Sequence, residues 1–168
     1  MAGHDEEPLR QRLTFDVAFR QIGLFGDNSR MNEEDRNQIY SKEAYNRVVG
    51  ASRSHVAIST ERDAGLISLD LELRSQPPSE EDLTLWDSVA EVSLEMGDEG
   101  LVISTPPGDE FYEFPLARGP YRVRVYVSGA ETVNALGTEG QDRYRVVLWP
   151  APYQEPVLIQ KRVRRRFE

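Results

Sequence analysis

The sequence predicts an all-β fold: a two-sheet antiparallel β-sandwich of about eight or nine strands, with one or two short helices in the 31–50 connection. Three observations lead there. Segments that alternate apolar and polar residues recur at short spacing, as in "YRVRVYV" at 121–127. Clusters of Gly, Pro and Asp bound nearly all of them. Helical patterning is confined to one stretch, "GDNSRMNEEDRNQIYSKEAYNRVVG". A chain of 168 residues is about one domain, long enough to bury a core. The expected division is a mobile lead-in at 1–12, a single sandwich domain over 13–160 and a basic tail at 161–168.

The first expected strand is "LTFDVAFRQIGLF", 13–25, with Leu13, Phe15, Val17 and Phe19 inward and Gly23 marking a bulge. In the helical stretch, Asn32 can cap a turn carrying Glu33, Glu34 and Asp35 near its positive end. Ser41 can cap a second short helix through Glu43, Ala44 and Val48, stopped by Gly50. "HVAIST" (55–60) and "LISLDLELR" (66–74) read as a hairpin across "ERDAG", with Ile67, Leu69, Leu71 and Leu73 inward. The acidic, Pro-broken "SQPPSEEDLTLWD" (75–87) is too long for a tight turn, so it reads as an edge crossing or a functional loop. "SVAEVSLEM" (88–96) then turns at 97–100 into "LVIST", and "DEFYEFPL" leads to "GPYRVRVYVS". Here Tyr121, Val123, Val125 and Val127 take one face, and Arg122, Arg124 and Tyr126 the other. A glycine-punctuated loop (128–142), "RYRVVLWP" as its hairpin partner and a last strand "VLIQK" complete the set.

Composition narrows the function. With 39% hydrophobic and 29% charged residues, no stretch approaches the roughly 20 apolar residues of a membrane helix. The opening "MAGHDEEPLRQRL" lacks a signal-peptide core, so a cytoplasmic protein is expected. The absence of Cys excludes disulfides and thiolate chemistry. Net charge is −9. "KRVRRRFE" at 161–168 carries a local +4 through Lys161, Arg162, Arg164, Arg165 and Arg166, leaving −13 on residues 1–160. Such a body repels nucleic acid, except through the tail, and attracts a basic protein partner.

Catalytic patterns are missing. His4 and His55 stand without the carboxylate spacing of a metal site, and no G-x-S-x-G elbow is present. "GLFGDNS" lacks the Gly-Lys-Ser/Thr ending of a phosphate loop, and no cofactor is expected. Asp70 and Glu72 share a strand face about 7 Å apart, and Glu91 and Glu95 lie on another outer face. That spacing suits paired carboxylate catalysis, but a wet sheet face carries such acids for solubility alone. The late aromatics Tyr112, Tyr126, Tyr144, Trp149 and Tyr153 could line a sugar or peptide groove, or pair across strands. Arg122, Arg124, Arg143 and Arg145 share adjacent strands and would repel unless acids interleave. They read as an ion-pair ladder or as a shallow anion site.

The order of pieces resembles a known family. An aromatic strand "FDVAFRQIGLF" precedes a helix start with Tyr40, Ser41, Glu43 and Ala44; Phe114, Pro115, Gly119 and Tyr121 enter the later strand, and "YRVVLWP" ends on Trp. Over roughly 13–149 this is similar to the family of bacterial competence protein J, a small cytoplasmic inhibitor of a DNA-entry nuclease. The matched positions are structural, so no inhibitory residue carries over. The resemblance implies a non-enzymatic, immunity-type protein whose partner is a nuclease or toxin. With the charge, it points to the acidic groups Glu80, Glu81 and Asp82; Asp98 and Glu99; Asp109 and Glu110; then Glu33, Glu34 and Asp35. An adaptor attached to an assembly through its basic tail is the other reading, and self-association stays open.

Overall fold

The computed structural model describes residues 8–27, 30–79, 82–106, 108 and 110–161. Two sheets stack face to face. One carries β1 (Leu9–Val17), β5 (Gly65–Leu73), β10 (Arg143–Pro150), β9 (Gly119–Ser128), β6 (Ser88–Met96) and β11 (Val157–Lys161), in that spatial order. The other carries β3 (Val49–Ala51), β4 (His55–Ser59), β2 (Gln21–Phe25), β7 (Leu101–Ser104) and β8 (Phe111–Phe114). Pairing is antiparallel throughout, except that β10 runs parallel to β5.

Alternation set the core as the sequence implied. Tyr121, Val123, Val125 and Val127 face inward and are buried, as are Ile67, Leu69 and Leu71, while Leu73 packs at the margin. Register brings Phe15 opposite Ile67, Val92 opposite Val123 and Val125 opposite Val146, so each strand adds to one apolar layer. Each fully buried side chain of this size contributes about 1.5–3 kcal/mol.

Several local expectations are corrected. The single strand 13–25 is two strands in different sheets. Phe19 (φ 60°) and Arg20 (φ 57°) are left-handed and carry the chain from one sheet to the other, leaving Phe19 77% exposed rather than inward. Gly23 is no bulge. It pairs in regular register with Ala57 and Ser104, and an added Cβ would come within 2.7 Å of the Phe25 ring. Pairing of β1 with β5 begins at Leu9.

Nor do 55–60 and 66–74 form a hairpin. β4 is filled on its two sides by β2 and β3, and the crossing 60–64 takes the chain into the other sheet. The first three residues of that crossing, Thr60, Glu61 and Arg62, are buried and bonded by distant groups. Glu61 N–H donates to the Tyr144 hydroxyl (2.9 Å), and Arg62 pairs with Asp142 (2.6 Å). Such long-range bonds leave no local trace.

Two short helices lie beside β3. In α1 (Glu33–Ile39), Asn32 and Asp35 form a reciprocal capping box. Ser41 caps α2 (Lys42–Arg47) through Ala44 N–H, as expected. The stop is Val48 in the left-handed conformation, not Gly50. Gly50 lies inside β3, where any Cβ would overlap the Ile39 carbonyl, so its role is close packing of helix on strand.

Candidate functional site

Over β6, β9 and β10 the outer face of the six-stranded sheet is covered by the chain itself, while Arg10 and Arg12 of β1 stay exposed. Glu91 sits between two cations, accepting from Arg122 Nε (3.0 Å) and Arg124 Nε (2.8 Å). Glu72 gathers three more: Arg145 and Arg74 at 2.7 Å each and Arg10 at 3.5 Å. Burial would raise the Glu72 carboxyl, but the bonds from Arg145 and Arg74 overturn this and hold it below the usual range. Arg145 also stacks on Tyr126 (4.6 Å), Arg124 on Trp149 (5.4 Å) and Arg143 on Trp86 (5.7 Å). Leu83 and Trp86 of the 75–87 connection complete a small outer core over Val89, Tyr126, Val147 and Trp149. The arginine face is thus an ion-pair and stacking layer. Glu91 is the interleaved acid opposite Arg124, whereas Asp70 pairs with Arg12.

Arg122 goes further. It is 3% exposed, and beyond Glu91 it donates to Ser93 Oγ (3.0 Å), the Gln154 carbonyl (2.8 Å) and the Glu155 carbonyl (2.9 Å). Gln154 N–H donates to Ser93 Oγ (3.0 Å). Together they fasten the segment between β10 and β11 against β6.

That segment is one wall of a cleft of about 740 Å³ at the edge where β3 packs on β6. The opposite wall is α1, with Glu34, Asn37 and Gln38, and Arg47 of α2. Ala51, Leu94 and Pro120 give apolar lining; Ser52, Arg53, Glu95, Tyr153 and Glu155 give polar lining. Arg47 is half-buried, and desolvation pushes its pKa below the usual value against the opposing charge of Glu43. No group of three His, Cys, Asp or Glu suited to a metal occurs among the described residues.

The acids named from sequence are distributed rather than gathered. Glu33 and Glu34 are exposed on α1, Glu34 on the cleft, while Asp35 accepts from Asn32 N–H (3.0 Å). Asp98 pairs with Arg118 (3.2 Å) in the turn after Met96, followed by Glu99. Asp82 closes a local turn onto Thr84 N–H (2.9 Å). Glu110 accepts from Asp16 N–H (3.3 Å) at the opposite seam, where β8 meets β1 through Tyr112. Glu80, Glu81, Asp109, and Arg162, Arg164, Arg165 and Arg166 of the tail lie outside the described residues, as does His4. Lys161 ends β11 and donates to Asn46 Oδ1 (2.9 Å).

The late aromatics line no common groove. Tyr126, Tyr144 and Trp149 are buried, and Tyr112 stacks edge-on against Phe15 at 5.2 Å. Tyr153 is exposed at the cleft. His55 is buried against Phe25. Sequence reasoning did not single out Arg47, Ser52 or Glu155 for the site. Arg47 had a signal: it follows buried Ala44 by three residues, so a cation sits on the inward stripe of a short helix.

These features define a class: an all-β sandwich of six- and five-stranded sheets, with two short helices walling an edge cleft. Its fold is that of ComJ-like proteins. It is similar to the crystal structure of ComJ, inhibitor of the DNA degrading activity of NucA, from Bacillus subtilis. The TM-score is 0.58 at 16% identity, over 88% of this chain and 97% of that one. It is also similar to the structure of crocagin biosynthetic gene J, with a TM-score of 0.51 at 17% identity, over 86% of this chain and 99% of that one. No protein-family model matches the sequence, and no curated protein matches it. The family resemblance read from the sequence is borne out at the level of fold.

Proposed function

We propose that this protein is a non-enzymatic, cytoplasmic protein-binding module of the nuclease-inhibitor type. The observation that carries the reading is a fold shared with a nuclease inhibitor over 88% of the chain. The cleft edge supplies the chemistry. Glu34, Glu95 and Glu155 line it, Glu33 stands beside Glu34, and Asp98 and Glu99 follow Glu95 closely. A nuclease holds phosphates in a basic groove, and carboxylates presented by a rigid sandwich occupy that groove and block access without chemistry.

The test compares tagged wild type with the triple variant Glu34→Lys, Glu95→Lys, Asp98→Lys. Both are used to capture protein from native lysate at low and moderate salt, and DNA degradation by the captured protein is assayed. The reading expects a basic nuclease that is silent while bound, released as salt rises, and lost with the variant. Capture of the same assembly components by both proteins at both salts would overturn it and favour the adaptor. The adaptor reading rests on Lys161, which anchors the start of the basic tail on α2.

A further inference from the structure

Of the described side chains that carry a buried polar atom without a partner, only Arg47 and Ser52 line the cleft. Arg62, Arg122, Arg124 and Arg145 each meet a carboxylate within 3.0 Å. Arg47 has only the charge of Glu43, one helical turn back, acting on it, and its Nε is shut off from water without an acceptor among the described residues. Ser52 is 6% exposed, and its Oγ likewise has no partner. Both line the same cleft. Buried donors without acceptors are rare in native proteins, and two in one recess mark a place where an acceptor enters.

The surroundings select the acceptor. A guanidinium presents a planar fork that fits carboxylate or phosphate. Glu34, Glu95 and Glu155 on the same cleft repel a multiply charged phosphate far more than a single carboxylate, and Arg53 is the other cation of the lining. The same three acids attract cations on either side of that carboxylate.

We propose that the cleft takes a partner segment carrying a carboxylate between basic side chains, with the carboxylate on Arg47 and Ser52 and the cations on Glu34, Glu95 and Glu155. This rests on the cleft being the partner-binding surface. It adds selectivity: a purely basic segment leaves Arg47 facing like charge, so it binds less tightly than one with the carboxylate.

The test follows the Arg47 Nε–H resonance by ¹⁵N NMR during titration with the peptide acetyl-Lys-Gly-Asp-Gly-Lys-amide. The same peptide with Asn for Asp, and sodium acetate, serve as comparisons. The expected result is movement of the Arg47 signal by the Asp peptide, with about tenfold weaker binding of the Asn peptide, the worth of one charge-assisted hydrogen bond. Arg47→Gln should abolish the preference between peptides, and Arg47→Lys should reduce it while keeping the charge, which covers a Gln variant that folds poorly. Equal binding of the two peptides by wild type would overturn the role of Arg47 while leaving the acidic cleft reading intact. Acetate acting at the same concentration as the Asp peptide would overturn the peptide in favour of a free carboxylate. If neither peptide perturbs any cleft signal, both this inference and the cleft reading fall.

Discussion

Arg122 Nη1 donates to the main-chain carbonyl of Gln154 at 2.8 Å. A side chain from the middle of a strand thereby holds the wall of a cleft whose opposite side is built from residues 34–47. The cationic face and the candidate site are parts of one construction. Arg122 is consumed in fixing the site's geometry, while Arg124, Arg143 and Arg145 serve the ion-pair and stacking layer.

Removing that clasp should be costly. Arg122→Ala leaves Glu91 short of one partner and frees two carbonyls and Ser93, so a loss of about 3 kcal/mol is expected in urea unfolding. Hydrogen exchange at Gln154 N–H should accelerate more than at core amides such as Val125. Equal acceleration at both would argue for global destabilisation rather than a local clasp.

Phe19 offers a stabilising change. It is 77% exposed with φ 60°, where a side chain is strained and nothing is gained by burial. Phe19→Gly should raise stability by about 1 kcal/mol, relief of the left-handed conformation outweighing the added freedom of the unfolded chain. Thermal unfolding reads this directly, and an unchanged or lower Tm would count against it.

Glu72 sets a pH dependence. Its folded carboxyl is held below the ordinary 4.5, so its contribution is complete above that value and is lost as pH falls through the lower, folded value. Stability measured from pH 7 down to pH 2 should therefore drop in acid. Glu72→Gln should cost about 2 kcal/mol at pH 7 and flatten part of the acid slope. Parallel profiles for the two proteins would show that other carboxylates carry the acid response.

The acids should differ in their effect on association. Glu34→Lys and Glu95→Lys alter the cleft, whereas Glu110→Lys lies at the β1–β8 seam and pairs with Asp16 N–H. Partner association measured by surface plasmon resonance should slow by about tenfold for the cleft pair and change little for Glu110→Lys. A similar loss at Glu110 would move the binding surface to the other edge.

How far the sequence reached follows from the range of each interaction. Strand alternation, the Asn32 and Ser41 caps and the Arg124-to-Arg145 neighbourhood are short-period patterns, and they determined the all-β class, most strand positions and both helix starts. The turn at Phe19 and Arg20 escaped because the left-handed backbone there falls on residues that do not advertise it. The false hairpin came from the same limit: adjacent strands usually pair, but buried bonds from Glu61 and Arg62 to Tyr144 and Asp142, about 80 residues on, pulled β5 into the other sheet. The cleft was illegible for a related reason. Its walls come from residues within 34–53, 93–95 and 153–156 together with Pro120, which approach each other only once two sheets have stacked. Charge and local pattern are written along the chain. Which carboxylate meets which arginine was decided by tertiary packing.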